Sequence, residues 1–455
     1  MIDLFSPDAD VHIMGCAGAG MSSLAIVLVE AGARVSGCDA KGGPVVDDLV
    51  TRGVRVDVGH SPTHVHANMS WVTASPAIAR TSAELTAADD LGVRVVSRRE
   101  MLASLGTQRR VVGVAGTHGK TTTTSMLVAI FHAAARDPGR LLGAPVAGIG
   151  PGGHWGSEPE ILVEVDESFG TFTLVAPAAL AVLNVDPDHL DYYGDVATLE
   201  QAFSDLVSRT TGPVVVWADH EGARRVADAS GGVVRTVGRS DTVDHVVHSE
   251  VFRRDGSHFT LELPHGALDV SLRVPGTLNV ANAATAAVLA HECGVDAEAI
   301  IEGLATFGGA PRRFERRAAI EGVDVVDDYA HLPLEVRETI AAARAAGYTS
   351  IVAVFQPHRV TRTRALAPDF ADAFEGVRDL IVTDIYTAGE PNPDGINGSL
   401  VADAVSRGQK PPRVSYVPSL DDAGRVVASR LAGADLILLL GAGNVTDVLA
   451  TVTGP

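Results

Sequence analysis

The run Val111-Val112-Gly113-Val114-Ala115-Gly116-Thr117-His118-Gly119-Lys120-Thr121-Thr122 decides how the rest of the chain is read. Its apolar start reads as a buried strand, its middle as a glycine turn, and the Ala- and Thr-rich residues to Ala135 as a helix. A strand that turns through glycine into a helix aims backbone N–H groups and the positive end of the helix dipole at one point. That point suits a phosphate. Lys120 is placed to neutralise β- and γ-phosphate oxygens, and the Thr121 hydroxyl to reach Mg²⁺. The spacing is the short G-x-x-G-K-T form, because Val114 stands where the longer loop has its first glycine. The expected ATP contacts here are Gly116, Thr117, His118, Gly119, Lys120, Thr121 and Thr122. A plain tight turn with a surface lysine has the same spacing, but the flanking strand and helix favour the phosphate.

Acidic residues follow at the ends of later strands. Glu164-Val165-Asp166-Glu167-Ser168 closes one, and Asn184-Val185-Asp186-Pro187-Asp188-His189-Leu190-Asp191 closes another. Carboxylates beside a triphosphate are expected Mg²⁺ ligands, although acids at strand ends also cap helices. Before the phosphate loop, Val11 to Met14 reads as a strand running into Gly15-Cys16-Ala17-Gly18-Ala19-Gly20. A helix is expected over 21–31, then a strand over 34–38 ending at Asp39. The glycines occupy positions 1, 4 and 6, whereas the dinucleotide fingerprint wants 1, 3 and 6. The loop can still offer amides to a diphosphate, with Asp39 near a ribose or base hydroxyl. A nicotinamide oxidoreductase would leave the second glycine loop unexplained.

Further strands are expected at 71–73, 93–96, 161–165, 179–185 and 213–217. From 252 to 274 apolar and polar residues alternate around Asp255-Gly256 and His265-Gly266, which read as hairpin turns of a small antiparallel sheet. A helix is expected over 278–293. After the Gly308-Gly309-Ala310-Pro311 linker, strands recur at 323–326, 351–355, 380–382 and 436–440, each ending in polar or glycine residues. Open parallel sheets bind ligands beyond those ends. The expected fold is α/β in three domains. Residues 1–106 form an N-terminal Rossmann-like parallel sheet. Residues 107–310 form a central P-loop ATPase α/β domain with a small antiparallel sheet, and 311–455 a C-terminal Rossmann-like domain.

The chain has 455 residues, with 36 basic and 56 acidic side chains and a net charge of −20. That charge argues against nucleic-acid or anionic-membrane binding. No apolar run is long enough to span a bilayer, and Met1-Ile2-Asp3-Leu4 opens no secretory signal. Cys16, Cys38 and Cys293 are odd in number and lie far apart. They offer neither a disulfide framework nor zinc-ligand spacing and read as small buried side chains of a cytoplasmic protein.

Taken in order, these motifs resemble the Mur ligases of peptidoglycan synthesis, most closely the branch that joins L-alanine to UDP-N-acetylmuramate. The resemblance rests on Met14-Gly15 through Gly20-Met21-Ser22, Gly116 to Thr123, Glu164 to Ser168 and Asp188 to Asp191. It continues through Asn279-Val280-Ala281-Asn282-Ala283, Arg312-Arg313-Phe314, Asp327-Asp328-Tyr329-Ala330-His331, Phe355-Gln356-Pro357-His358-Arg359 and Ala388-Gly389-Glu390. It implies an ATP-dependent acid–amino-acid ligase acting in cell-wall biogenesis, and hence in cell shape and division. Such an enzyme would be a cytoplasmic monomer or homodimer with ATP and Mg²⁺ as cofactors. It would have no nucleic-acid partner and no membrane insertion.

Carried over residue by residue, the resemblance places Lys120, His189, Asp328, His331 and Arg359 in catalysis. Asn279, Asn282, Arg313 and Asp328 join the loop around ATP. Gly15, Ala17, Gly18, Ala19, Gly20, Met21, Asp39 and Ser75 would hold the UDP-sugar, and Tyr329, His331, Arg359 and Arg362 the amino acid. Thr121, Glu164 and His189 would ligate metal. Asn184 is expected near the adenine or sugar.

The chain departs from the alanine-adding pattern at Phe169, Leu278, Leu332 and Val360, and in Pro391-Asn392-Pro393-Asp394. A ligase of a secondary pathway with another acid or amine, and a non-catalytic UDP-sugar or nucleotide binder, are the competing readings. For the ligase chemistry, domain closure about the 308–311 linker would bring the ATP and amine sites together.

Overall fold

The computed structural model describes residues 3–452; Met1, Ile2 and residues 453–455 lie outside it, as does the Asp191 side chain. Three sheets organise the chain. The first is parallel, with strands in the spatial order 55–58, 34–39, 10–14 and 71–74. Val11, Ile13 and Met14 on its inner strand are fully buried, as a strand covered on both faces requires.

The second sheet has ten strands, and the strand of residues 110–115 lies inside it between 160–164 and 179–182, parallel to both. The third has six strands, in the order 315–320, 323–328, 436–440, 351–355, 379–382 and 413–416, and only its first pair is antiparallel. Its apolar core strands, such as Ile351–Phe355 and Leu436–Leu440, are wholly buried.

Three expectations change. Val93 to Val96 forms no full strand, only a bridge from Val95 to Val72. Gly92, at φ 69°, ends one helix, and Ser97 caps the next with Glu100, so too few residues remain for a ladder. The strand Arg55–Val58 was not foreseen, because its alternation of charged and apolar residues suits a sheet edge. The antiparallel strands 245–253, 256–263 and 266–272 do not stand apart: His245 and Val246 pair in parallel with Val237 and Gly238, extending the central sheet.

The described chain divides into two compact units. One comprises 3–249, 259–271 and 281–308; the other comprises 250–258, 272–280 and 309–452. Within the first unit, the first sheet's layer packs on the central sheet's edge. Phe5 stacks on Trp155 with ring centroids 5.8 Å apart, and His154 meets Glu30 at 2.8 Å. Among the described residues, no helix is long and apolar enough to cross a membrane.

The helix of residues 120–133, which starts at the phosphate loop, is braced by the helix of residues 297–306. Gly303 makes the crossing close: a Cβ there would stand 2.4 Å from Ile130 Cα. Gly303→Ala should therefore destabilise the protein by about 1–3 kcal/mol. Urea unfolding followed by circular dichroism checks this, and an unchanged midpoint would show that the two helices can move apart freely.

Candidate active site

The phosphate loop is shaped by two glycines that no other residue fits well. Gly116 has φ 145° and Gly119 φ 84°. A Cβ on Gly119 would lie 2.6 Å from Asn282 Oδ1, and one on Gly116 would press on Leu183 and Asn184. The loop is also held from outside. Asn184 Oδ1 accepts from His118 N at 2.7 Å, while its Nδ2 donates to the His118 carbonyl at 3.1 Å. The Thr117 hydroxyl accepts from Asp186 N at 2.9 Å, and Asp186 itself faces His220 at 3.2 Å. Asn184 thus clamps the loop backbone, and Asn282 packs beneath it.

Lys120 opens the helix and turns back across the loop. Its Nζ donates to the Gly116 carbonyl at 2.5 Å, to Thr117 O at 3.3 Å and to Glu167 Oε2 at 2.8 Å. Burial opposes its charge, but Glu167, Asp166 and Glu164 outweigh that and hold its pKa above the ordinary lysine value. Burial pushes Glu164 and Glu167 up despite Lys120, whereas Lys120 and Ser168 bring Asp166 down against its burial. The Thr121 hydroxyl is bonded to Glu164, whose Oε1 accepts from Gly143 N at 3.1 Å. Arg98, against Gly20 in the first glycine loop, also acts on Glu164 and Asp166.

Three carboxylates therefore crowd one buried ammonium, and two of them are pushed toward protonation. A divalent cation bound beside Thr121 and Glu164 would relieve that crowding, so the residues fit a magnesium–nucleotide site. His189 begins a short helix at 190–193 with φ 52°. That turn is tied to the acidic loop because Tyr193 Oη donates to the Glu167 carbonyl at 2.7 Å.

The first glycine loop is built differently. Gly15 N and Cys16 N donate to the Cys38 carbonyl at 2.8 and 3.0 Å, and Ala17 N donates to Asp39 Oδ2 at 3.0 Å. Gly15, at φ 71°, lets Ser75 approach, and the helix starts at Ala19, so Ala19, Gly20 and Met21 form its first turn while Gly18 is its extended N-cap.

In the second unit, Asp328 is buried and its carboxylate accepts from Phe314 N at 2.7 Å, Ala330 N at 2.8 Å and the Thr339 hydroxyl at 3.3 Å. Burial lifts its pKa to about 6, against the pull of Arg313. Arg312 and Arg313 both lie over the Tyr329 ring, at 5.2 and 5.0 Å. Asn279 Nδ2 donates to the Pro275 carbonyl at 2.8 Å, at the start of its helix.

His331 Nδ1–H donates to the Tyr329 carbonyl at 3.0 Å, which leaves Nε2 as a lone pair on the neutral ring. Burial lowers the His331 pKa. His358 packs on His331 at 5.6 Å, stacks on Tyr386 at 5.7 Å and accepts from Arg362 at 3.2 Å. Arg359 stands 3.9 Å from Glu390. Beside them lies a cleft of about 440 Å³ lined by Gln356, Asp384, Tyr386, Thr387, Gly389 and Asn444.

The structure thus brings Lys120, Thr121 and Glu164 together, and separately gathers Tyr329, His331, Arg359 and Arg362. Of the acidic run at 164–168 the residue-by-residue expectations singled out Glu164 alone, and they did not name Arg98, His358 or Gln356. Asp166 and Glu167 lay inside a quoted motif, so their charge was visible. Nothing in the sequence tied Arg98 to them. Of the departures, Val360 is buried in the core and Leu332 precedes a helix, whereas Leu278 and Phe169 are exposed, Phe169 at 62%.

A phosphate loop inside a parallel sheet, faced by clustered carboxylates, defines a P-loop α/β protein. Residues 10–110 match the model of the Mur ligase family catalytic domain, 163–290 the Mur ligase middle domain, and 312–443 the Mur ligase glutamate ligase domain. The UDP-N-acetylmuramate–L-alanine ligase of Kineococcus radiotolerans is 43% identical over 96% of this chain and 94% of its own. The ligase of the same name from Thermobifida fusca is 38% identical, again over 96% and 94%. The crystal structure of UDP-N-acetylmuramate–alanine ligase from Thermotoga maritima superposes with a TM-score of 0.81 at 26% identity, covering 97% of each chain. The chain belongs to the Mur ligase family of ATP-dependent ligases.

The histidine pair gives the second unit a pH signature. Burial, His331, Arg362 and Arg359 hold His358 down to about 4 from the ordinary 6.5, with only Glu390 opposing. A lowered folded pKa means the unfolded chain takes the proton first, so stability falls as pH drops from 6.5 toward 4. His358→Gln should shrink the fall in urea midpoint between pH 7 and pH 5. An identical fall in the variant would show that His358 does not carry it.

Proposed function

We propose that this chain joins L-alanine to the carboxylate of UDP-N-acetylmuramate at the expense of ATP, in cytoplasmic synthesis of peptidoglycan precursors. The observation that carries the chemistry is the buried Lys120 on the phosphate loop, set against three carboxylates. The identity of 38–43% to ligases of that name supports the substrates.

The proposed division of labour is residues 1–106 for the UDP-sugar, 107–310 for ATP and 311–455 for the amino acid. Joining a carboxylate to an amine in water is uphill, so the carboxylate needs a leaving group. A carboxylate oxygen of the sugar substrate attacks the γ-phosphorus, the bond to ADP breaks, and an acyl phosphate forms. Lys120 and the loop amides stabilise the charge on the transferring phosphoryl group. Thr121, Glu164 and His189 would hold Mg²⁺, which supplies further neutralisation of phosphate charge.

The amine nitrogen of alanine then attacks the acyl carbon and phosphate departs. His331, with a free Nε2 lone pair and a depressed pKa, is suited to take the amine proton. Arg359 and Arg362 are suited to the amino-acid carboxylate. The first loop, with Asp39 and Ser75, would hold the uridine nucleotide.

Mass identification of the product from enzyme, Mg·ATP, UDP-N-acetylmuramate and L-alanine tests this reading. The amide conjugate is expected. If another acid or amine is turned over while this pair is inert, the chain is the secondary-pathway ligase that its departures at Phe169 and Leu278 leave open. No amine-dependent ATP turnover with any pair would instead favour a nucleotide binder. Lys120→Ala should lower kcat by ~10³-fold; near-normal turnover would remove Lys120 from phosphoryl transfer.

A further inference from the structure

Behind the first glycine loop, four side chains from four separate elements converge. They are His12 on the strand 10–14, Cys38 on the strand 34–39, His64 on the turn 62–64 and Glu84 in the first turn of the helix 83–91. One ligand atom from each lies within 4.8 Å of the ligand atoms of the other three. His12, Cys38 and Glu84 are almost wholly buried.

Glu84 collects the donors. It accepts from Cys38 Sγ at 3.0 Å, from His64 Nδ1 at 2.8 Å, from His60 Nδ1 at 2.9 Å and from Ser61 N at 3.2 Å. Such a network could be purely structural, but it leaves His12 unexplained. The Ser36 hydroxyl donates to the Val11 carbonyl at 3.1 Å, so it must accept at His12 Nδ1, 2.9 Å away. Nδ1 therefore carries the proton and Nε2 presents a bare lone pair.

That Nε2 is buried and has no hydrogen-bond partner. A buried acceptor without a donor is costly and uncommon. Metal-binding imidazoles likewise have their tautomer fixed by an acceptor at the second ring nitrogen. Burial holds His12 down to about 4, so it stays neutral at working pH.

We propose that His12, Cys38, His64 and Glu84 form a binding site for a borderline-soft divalent cation of the zinc class, separate from the ATP site. Two imidazoles, a thiolate and a carboxylate are a four-coordinate zinc donor set and a poor one for magnesium. The Cys38 thiol donates a hydrogen bond to Glu84 and keeps its proton; on metal binding that proton leaves to solvent and the thiolate takes the metal. His60, whose side chain is 37% exposed, marks the route in. The occupied site would pin together the strands and turns that carry the first loop, since the Cys38 carbonyl receives the Gly15 and Cys16 amides.

The test uses the full chain, stripped with chelator and kept reduced in excess Mg²⁺ to fill hard-cation sites. Titration with Co²⁺ should give one equivalent of binding, with visible d–d bands of tetrahedral intensity and a thiolate-to-cobalt charge-transfer band. Zn²⁺ should then displace the cobalt. Cys38→Ser should erase the charge-transfer band, and His64→Asn should weaken Zn²⁺ by ~100-fold or more against a competing chromophoric chelator. The cobalt spectrum of the unmodified protein decides even if a variant fails to fold. No tetrahedral, thiolate-bound cobalt, or Zn²⁺ affinity indifferent to both substitutions in folded protein, would overturn the site.

Discussion

The phosphate loop of the first unit is organised around one ammonium that stays charged while it is buried. Lys120 has lost most of its water, and only carbonyls of its own loop and the acids of a neighbouring strand replace it. Sheet register makes that possible. Val114 pairs with Glu164, and Ala115 pairs with Val182, so three adjacent parallel strands end at one level. The first gives the loop, the second the acids, and the third runs on to Asn184, which holds the loop backbone. A slip of one residue in the Val114–Glu164 pairing would turn Glu164 to the opposite face of the sheet.

The acids exceed what Lys120 needs. One carboxylate would suffice to keep a buried ammonium charged, yet Glu167, Asp166 and Glu164 all bear on it, and two of them are driven toward protonation. Surplus negative charge in a buried place is costly unless a cation shares it. A divalent cation held beside Thr121 and Glu164 would share that surplus.

Much of this was legible in the sequence because the decisive features are local. The loop needs two glycines three residues apart and a lysine, and the apolar strands before each polar edge announce a parallel sheet. Arg98 escaped because only tertiary packing sets it beside Gly20 and brings its charge to bear on Glu164. The resemblance places Asp328 in catalysis and beside ATP, but the partners of its oxygens, the Phe314 and Ala330 amides and the Thr339 hydroxyl, cross sequence separations of up to 14 residues and could not be read locally. The pairing of His245 with Val237 was equally invisible, since both sheets have sound patterns when read alone.

The two glycine loops show why similar sequences take different work. The loop at Gly116 keeps a cation within its curve. The loop at Gly15 has none of its own, and three of its amides are already bonded to Cys38 and Asp39. Its shape is therefore fixed from behind, by the strand that carries Cys38, rather than by the ligand in front. Cys38 faces Glu84 on one side and supports Gly15 and Cys16 through its carbonyl on the other. Whatever occupies the space among His12, Cys38, His64 and Glu84 acts on the loop through Cys38 and through the strand of His12, which runs into Gly15. The sheet pairings of Cys38 with Met14 and Asp57 already hold the strand end, and four coordinated ligands would add to that hold.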